Sequence, residues 1–204
     1  MLKIASLVLI ISIIAPLVIG GQDSAIEWRP FNGLPDDRAI VIQIQTEYTP
    51  TIYIGLAHVV DNAAQSEAYL PVNLVEGFDY ANVTLNDKSY LVKENLQILC
   101  LKNPTYLVWK STRAENFDDL LHSSTFAPIV AGWEANSILG YNATVYMGVG
   151  HLPVLGGNNV GKVYHGLPET HNGRKDGSLY IDRTGISDEY KSTGGNFIVA
   201  LYNK

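Results

Sequence analysis

Apolar and polar side chains alternate along Ile40-Val41-Ile42-Gln43-Ile44-Gln45, which puts Ile40, Ile42 and Ile44 on one face of a half-buried strand. Residues 51–57, 96–101, 106–109, 144–149, 160–164, 178–181 and 196–202 are short runs rich in β-branched and aromatic residues, and each reads as a strand. Turn signals separate them: Asn32-Gly33, Pro35-Asp36, Asn103-Pro104, Gly156-Gly157-Asn158-Asn159, Asn172-Gly173, Asp176-Gly177 and Gly194-Gly195. Only residues 114–122 have a helical pattern, and that stretch is short. Short strands, frequent turns and almost no helix predict an all-β antiparallel fold.

The landmarks occur twice. Tyr53-Ile54-Gly55-Leu56-Ala57-His58 recurs as Tyr146-Met147-Gly148-Val149-Gly150-His151. Each copy follows an Ala-led apolar run (Ala39-Ile40-Val41-Ile42, then Ala127-Pro128-Ile129-Val130) and stands downstream of a tryptophan, Trp28 or Trp109. Each precedes a tyrosine, Tyr90 or Tyr190, that leads into another apolar run. Such an ordered set implies a duplicated unit. The interval from Trp109 to Tyr146 is longer than that from Trp28 to Tyr53, and residues 114–122 lie in the excess. Neither copy is large enough to bury both faces alone, so the two are expected to interleave into one body of sandwich or prism type. Apart from the histidine that closes each copy, no acid, base or nucleophile repeats in register, which favours a binding scaffold over an enzyme.

Lys3, the apolar run over residues 4–19 and small residues suited to cleavage after Gly20 predict a secretory signal peptide over residues 1–20. The sequons Asn82-Val83-Thr84 and Asn142-Ala143-Thr144 agree with export and make Asn82 and Asn142 candidate glycosylation sites. The third, Asn103-Pro104-Thr105, is disqualified by its proline. A net charge of −6 argues against nucleic acid and anionic membrane as partners. Cys100 is the one cysteine, so no disulfide can form within the chain, and its apolar run predicts a buried thiol.

Gly156-Gly157-Asn158-Asn159-Val160-Gly161-Lys162-Val163 nearly spells a phosphate loop, but Val163 replaces the magnesium-binding hydroxyl and strand, not helix, follows. His151, His165 and His171 lack metal-site spacing, and no metal or cofactor is implied. His58 and His151 repeat, which points to a shared fold role such as bonding a backbone carbonyl. The acid pairs Asp36-Asp37, Asp118-Asp119 and Asp188-Glu189 read as solvated turns; a glycosidase pair would have to be assembled in space. Twelve tyrosines and three tryptophans beside Asn-, Asp- and Gly-rich loops could serve a sugar site or simply a β core.

The landmarks together resemble the DM-nine repeat family, whose relatives include the repeats of natterin-like toxins. The second copy offers Trp109, Ala127-Pro128-Ile129-Val130, Ala131-Gly132, Tyr146-Met147-Gly148, Val160-Gly161-Lys162-Val163 and Tyr190; the first offers Trp28, Pro35, Ala39-Ile40-Val41, Tyr53-Ile54-Gly55 and Tyr90. The resemblance implies two repeats, residues 21–108 and 109–204, and mannose-type sugar recognition linked to innate immunity. It also implies that Lys162 contacts the sugar, with an acid just before the Tyr-x-Gly strand. Glu47 is the nearest acid in the first copy, none stands at Tyr141-Asn142 in the second, and the family's arginine is replaced by Leu56 and Val149. The expectation is a secreted, non-catalytic recognition protein with a glycan or extracellular protein as partner and a ligand site at Lys162, Asn158, Asn159 and Glu47. The alternatives are a structural or protein-binding factor that lost the sugar site, and, more remotely, a glycosidase.

Overall fold

A computed structural model describes residues 26–47, 49–102, 107–152, 157–168, 174–182, 189–191 and 197–203. The expected signal peptide, the turns at Asn103-Pro104, Asn172-Gly173 and Gly194-Gly195, and the residues His171 and Asp188 lie outside them. The first half of the chain forms β1 (Ile26–Pro30), β2 (Val41–Gln43), β3 (Ile52–Asp61), β4 (Ser66–Val75), β5 (Ala81–Leu85), β6 (Lys88–Val92) and β7 (Gln97–Leu101). The second forms β8 (Leu107–Thr112), a 3-10 turn at Ala114–Asn116, α1 (Phe117–Leu121), β9 (Phe126–Pro128), β10 (Val130–Asn136) and β11 (Tyr141–Leu152). It closes with β12 (Gly157–His165), β13 (Leu179–Asp182), β14 (Glu189–Lys191) and β15 (Phe197–Asn203). The protein is all-β with antiparallel ladders, and the described residues include one short α-helix.

One continuous sheet runs β1-β7-β3-β4-β10-β11-β12-β13-β14; β2 sits on β3, and β15 sits on β11 and carries β8 and β9. The hairpin β5–β6 stands apart as a second sheet. The two halves join where β10 pairs with the start of β4, from Trp133↔Tyr69 to Asn136↔Ser66. Beyond Tyr69 that ladder stops, which is why β4 tolerates Pro71: a residue without an N–H belongs on an unpaired edge.

The two halves repeat the same pairings. Val41↔Tyr53 is followed by a register shift, and so is Val130↔Tyr146. Gly55↔Ile98 corresponds to Gly148↔Val199, and Trp28↔Leu99 to Trp109↔Ala200. Tyr53↔Leu74 corresponds to Tyr146↔Val163, and Val83↔Tyr90 to Ile181↔Tyr190. The cores correspond as well. Leu74, Val83 and Ile98 lie in a cluster drawn mainly from the first half, which also takes in Tyr141, Val145, Tyr164 and Tyr180, and Val163, Ile181 and Val199 lie in one of the second. Between them a third cluster joins Ile54 to Met147 and Ile40 to Ile129. Each such aliphatic side chain contributes about 1.5–3 kcal/mol by leaving water.

These clusters explain the repeated Tyr-x-Gly. The middle residue, Ile54 or Met147, enters the shared cluster. The glycine faces its own half's core, where a Cβ on Gly55 would lie 2.4 Å from Leu74 and one on Gly148 2.6 Å from Leu179. The repeated histidines meet side chains rather than the expected carbonyls. His58 stacks on Tyr69 at 4.4 Å and bonds Glu67 at 2.8 Å; His151 meets Asn158 at 3.2 Å.

Two expectations need correction, and the helical one is met. The Ile40–Ile44 alternation ends early: β2 covers only Val41–Gln43, and Ile44 is 77% exposed because the chain turns at Thr46, whose N–H donates to the Thr49 carbonyl. The helical segment 114–122 splits into the 3-10 turn and α1, whose Phe117 and Leu120 fill the second core. The apparent turn Gly157–Asn159 is instead the start of β12, so the described part of the near phosphate loop, from Gly157 to Val163, is a ladder strand.

Cys100 is completely buried, and burial raises its thiol pKa. Alkylation of the native chain should be about a thousandfold slower or more than in denaturant, since it must wait for opening that costs about 5–15 kcal/mol. A mass-spectrometric time course checks this.

Candidate functional site

A cleft in the first half follows from a place where the two halves differ. In the second half β12 and β13 are joined, with Lys162↔Tyr180 and Val163↔Leu179 paired. The equivalent positions of the first half are Asn73 and Leu74 on β4 and Asn82 and Ala81 on β5, and no ladder joins those strands among the described residues. Ala81, Val83 and Leu85 turn into the first core, and the Gly77 N–H donates to the Gly33 carbonyl, tying the β4–β5 turn to the loop after β1. The result is a cleft of about 460 Å³ lined by Pro50, Asn73, Val75, Phe78, Tyr80, Ala81, Asn82 and Asp182. That size falls within the range of small-molecule sites.

One wall is aromatic: Phe78 and Tyr80 meet edge to face at 5.3 Å, and Phe78 is 46% exposed. The polar groups are fixed from behind. The buried ammonium of Lys162 donates to Asp182 Oδ1 and to the Thr84 carbonyl, each at 2.8 Å, holding β13 against β5. Asn73 Nδ2 donates to Asn159 Oδ1 at 2.9 Å, and Asn73 Oδ1 accepts the Val160 N–H at 2.8 Å. Each polar end of Asn73 has capacity for one further bond. Asp182 is the sole carboxylate among the lining residues, so this cleft lacks the facing acid pair that glycoside hydrolysis uses.

In the second half the corresponding space is filled. Tyr164 stands at the position of Val75, since Val145↔Tyr164 matches Ile52↔Val75. Tyr180 stands at the position of Asn82, next to the matching pairs Ile181↔Tyr190 and Val83↔Tyr90. The Arg174 guanidinium lies over both rings, at 5.3 Å from Tyr164 and 6.0 Å from Tyr180. It donates to buried Glu134 at 3.1 Å, and Glu134 also accepts the hydroxyls of Tyr141 and Tyr164 at 2.7 and 2.6 Å. Burial and then the neighbouring Glu134 carboxylate push the Tyr141 hydroxyl far above the usual tyrosine range, so it remains a donor.

None of the four residues expected to contact ligand lines this cleft. Lys162 is fully buried beneath it, and Asn159 is buried behind Asn73. Asn158 bonds the Ile42 carbonyl at 3.1 Å and Gln43 Oε1 at 2.8 Å, and borders a smaller cleft of about 260 Å³ beside His151. Glu47 is exposed in the turn before β3. Lys162 and Asn159 lie within a paired strand, where a side chain that points inward meets protein. Both act one bond away, through Asp182 and Asn73. Of the candidate glycosylation sites, Asn142 is exposed on β11 and Asn82 is a wall of the cleft. No family model, curated protein or solved structure matches the chain.

Proposed function

We propose that this is a secreted, non-catalytic recognition protein that binds a sugar-sized, polyhydroxylated ligand in the cleft between β4, β5 and β13. The observation that carries this reading is the asymmetry of the halves: one space is plugged by Tyr164, Tyr180 and Arg174, while its counterpart is open and lined by Phe78, Tyr80, Asn73, Asn82 and Asp182. An aromatic wall suits the C–H face of a pyranose, and anchored amide and carboxylate groups suit its hydroxyls. The repeated pairings support descent from one duplicated unit, in keeping with the DM-nine resemblance and its division at residues 108 and 109. The apolar leader and the sequons support export.

A glycan array with chain made without N-glycosylation tests the reading. It predicts a defined hexose-type specificity that Phe78→Ala weakens by about tenfold, the effect of losing roughly 1.4 kcal/mol of stacking. A blank array from folded protein would remove it in favour of the protein-binding alternative, for which Ile138 and Leu139, 62% and 57% exposed at the β10–β11 tip, supply a contact surface.

A further inference from the structure

We infer that Asn82 carries an N-linked glycan whose first sugars lie in the protein's own cleft, where they compete with outside ligand for the same groups. The inference uses the export part of the proposed function but needs no external ligand to be known.

Two independent features converge on Asn82. It heads the sequon Asn82-Val83-Thr84, and its side chain is part of the cleft wall. Among the described residues its carboxamide has no hydrogen-bond partner, so carrying a sugar disrupts no bond of the fold. The surface around this half-buried asparagine is apolar: Phe78 is 46% exposed, and Leu91, directly across the β5–β6 ladder from Asn82, is 56% exposed. Tyr80, two residues before Asn82, lines the same cleft. A sugar attached at Asn82 would set its C–H face toward these groups and its hydroxyls toward Asn73 and Asp182 without paying the entropy of capturing a free ligand.

The transfer itself must precede folding. Thr84 is 1% exposed, and its carbonyl already holds Lys162, so the sequon is accessible only before β5 docks. In the step, Asn82 Nδ2 attacks the anomeric carbon of a polyisoprenyl-diphosphate-linked oligosaccharide. The new bond is C1–N, the bond broken is C1–O to the diphosphate, the diphosphate lipid departs, and the amide loses one proton to the transferase's base. No oxidant or reductant is needed.

The test uses full-length chain secreted from eukaryotic cells. Site occupancy is read by mass spectrometry, and the rate of glycosidase release is followed at Asn82 in native and in denatured protein. We expect Asn82 to be occupied and its glycan to be released from native protein at least about tenfold more slowly than from denatured protein, the protection that roughly 1.4 kcal/mol of burial gives. Phe78→Ala/Tyr80→Ala should remove that protection, with release followed in the occupied fraction of the variant. An unmodified Asn82, or equal release rates in native and denatured chain, overturns the inference. Protection with a blank array on unglycosylated protein would leave the inference standing and remove the external sugar ligand. A positive array with an unprotected Asn82 glycan would do the reverse.

Discussion

Arg174→Ala will lower stability by about 3–5 kcal/mol, the usual consequence of stranding a buried charge, and will lower Tm by roughly 10 °C or more for a chain of this size. Glu134 is fully buried and Arg174 is 2% exposed, so neither can turn to water once its partner is lost. The tyrosine hydroxyls of Tyr141 and Tyr164 share the carboxylate but bring no positive charge. Removing Arg174 also leaves a void between Tyr164 and Tyr180, the rings it lies over. Glu134→Gln/Arg174→Met should recover at least half of the loss, because a neutral amide still accepts from the hydroxyls and methionine fills the space. Thermal melts of the single and double variants check both statements. A single variant that melts with the parent would mean that the second half does not depend on this plug.

Gly132→Ala should cost about 3 kcal/mol or more, at or beyond the upper end for overpacking. The added methyl would stand 2.1 Å from the Tyr69 carbonyl oxygen and 2.8 Å from its carbon. Both are backbone atoms of β4, so relief requires β10 and β4 to separate, and that ladder is what joins the halves into one sheet. Gly55→Ala makes the useful comparison. Its nearest atoms, at 2.4 to 2.9 Å, belong to the Leu74 side chain, which can change rotamer, so the cost should be about 1–3 kcal/mol. Urea titrations rank the two. Equal midpoints would show that the β10–β4 contact yields without loss.

The matching pairings of the two halves were legible because the residues that repeat are those with a fixed packing duty. Ile54 and Met147 fill the shared cluster, and Gly55 and Gly148 make room for each half's core. The strand β3 was legible from its β-branched run, whereas β4 was obscured by Pro71, accepted because the β10 ladder stops at Tyr69, and by Glu67, whose side chain lies on an exposed face of the paired segment. The site was hidden for a different reason. The repeat drew attention to what the halves share, while the cleft arises where they diverge, with Val75 and Asn82 standing opposite Tyr164 and Tyr180. Lys162 was noticed as a surviving motif residue, but its strand position turns it inward onto Asp182, a residue that no motif marked. Phe78-Asp79-Tyr80 just ahead of a sequon was visible in the chain, and its meaning depends on a strand that fails to pair.

A crystal structure of the unglycosylated chain with the strongest sugar from the array addresses the central claim most directly. The account predicts a pyranose ring between Phe78 and Asp182, within hydrogen-bond reach of Asn73, and nothing in the corresponding space beside Arg174. A sugar bound instead beside His151, or equally in both halves, would contradict it.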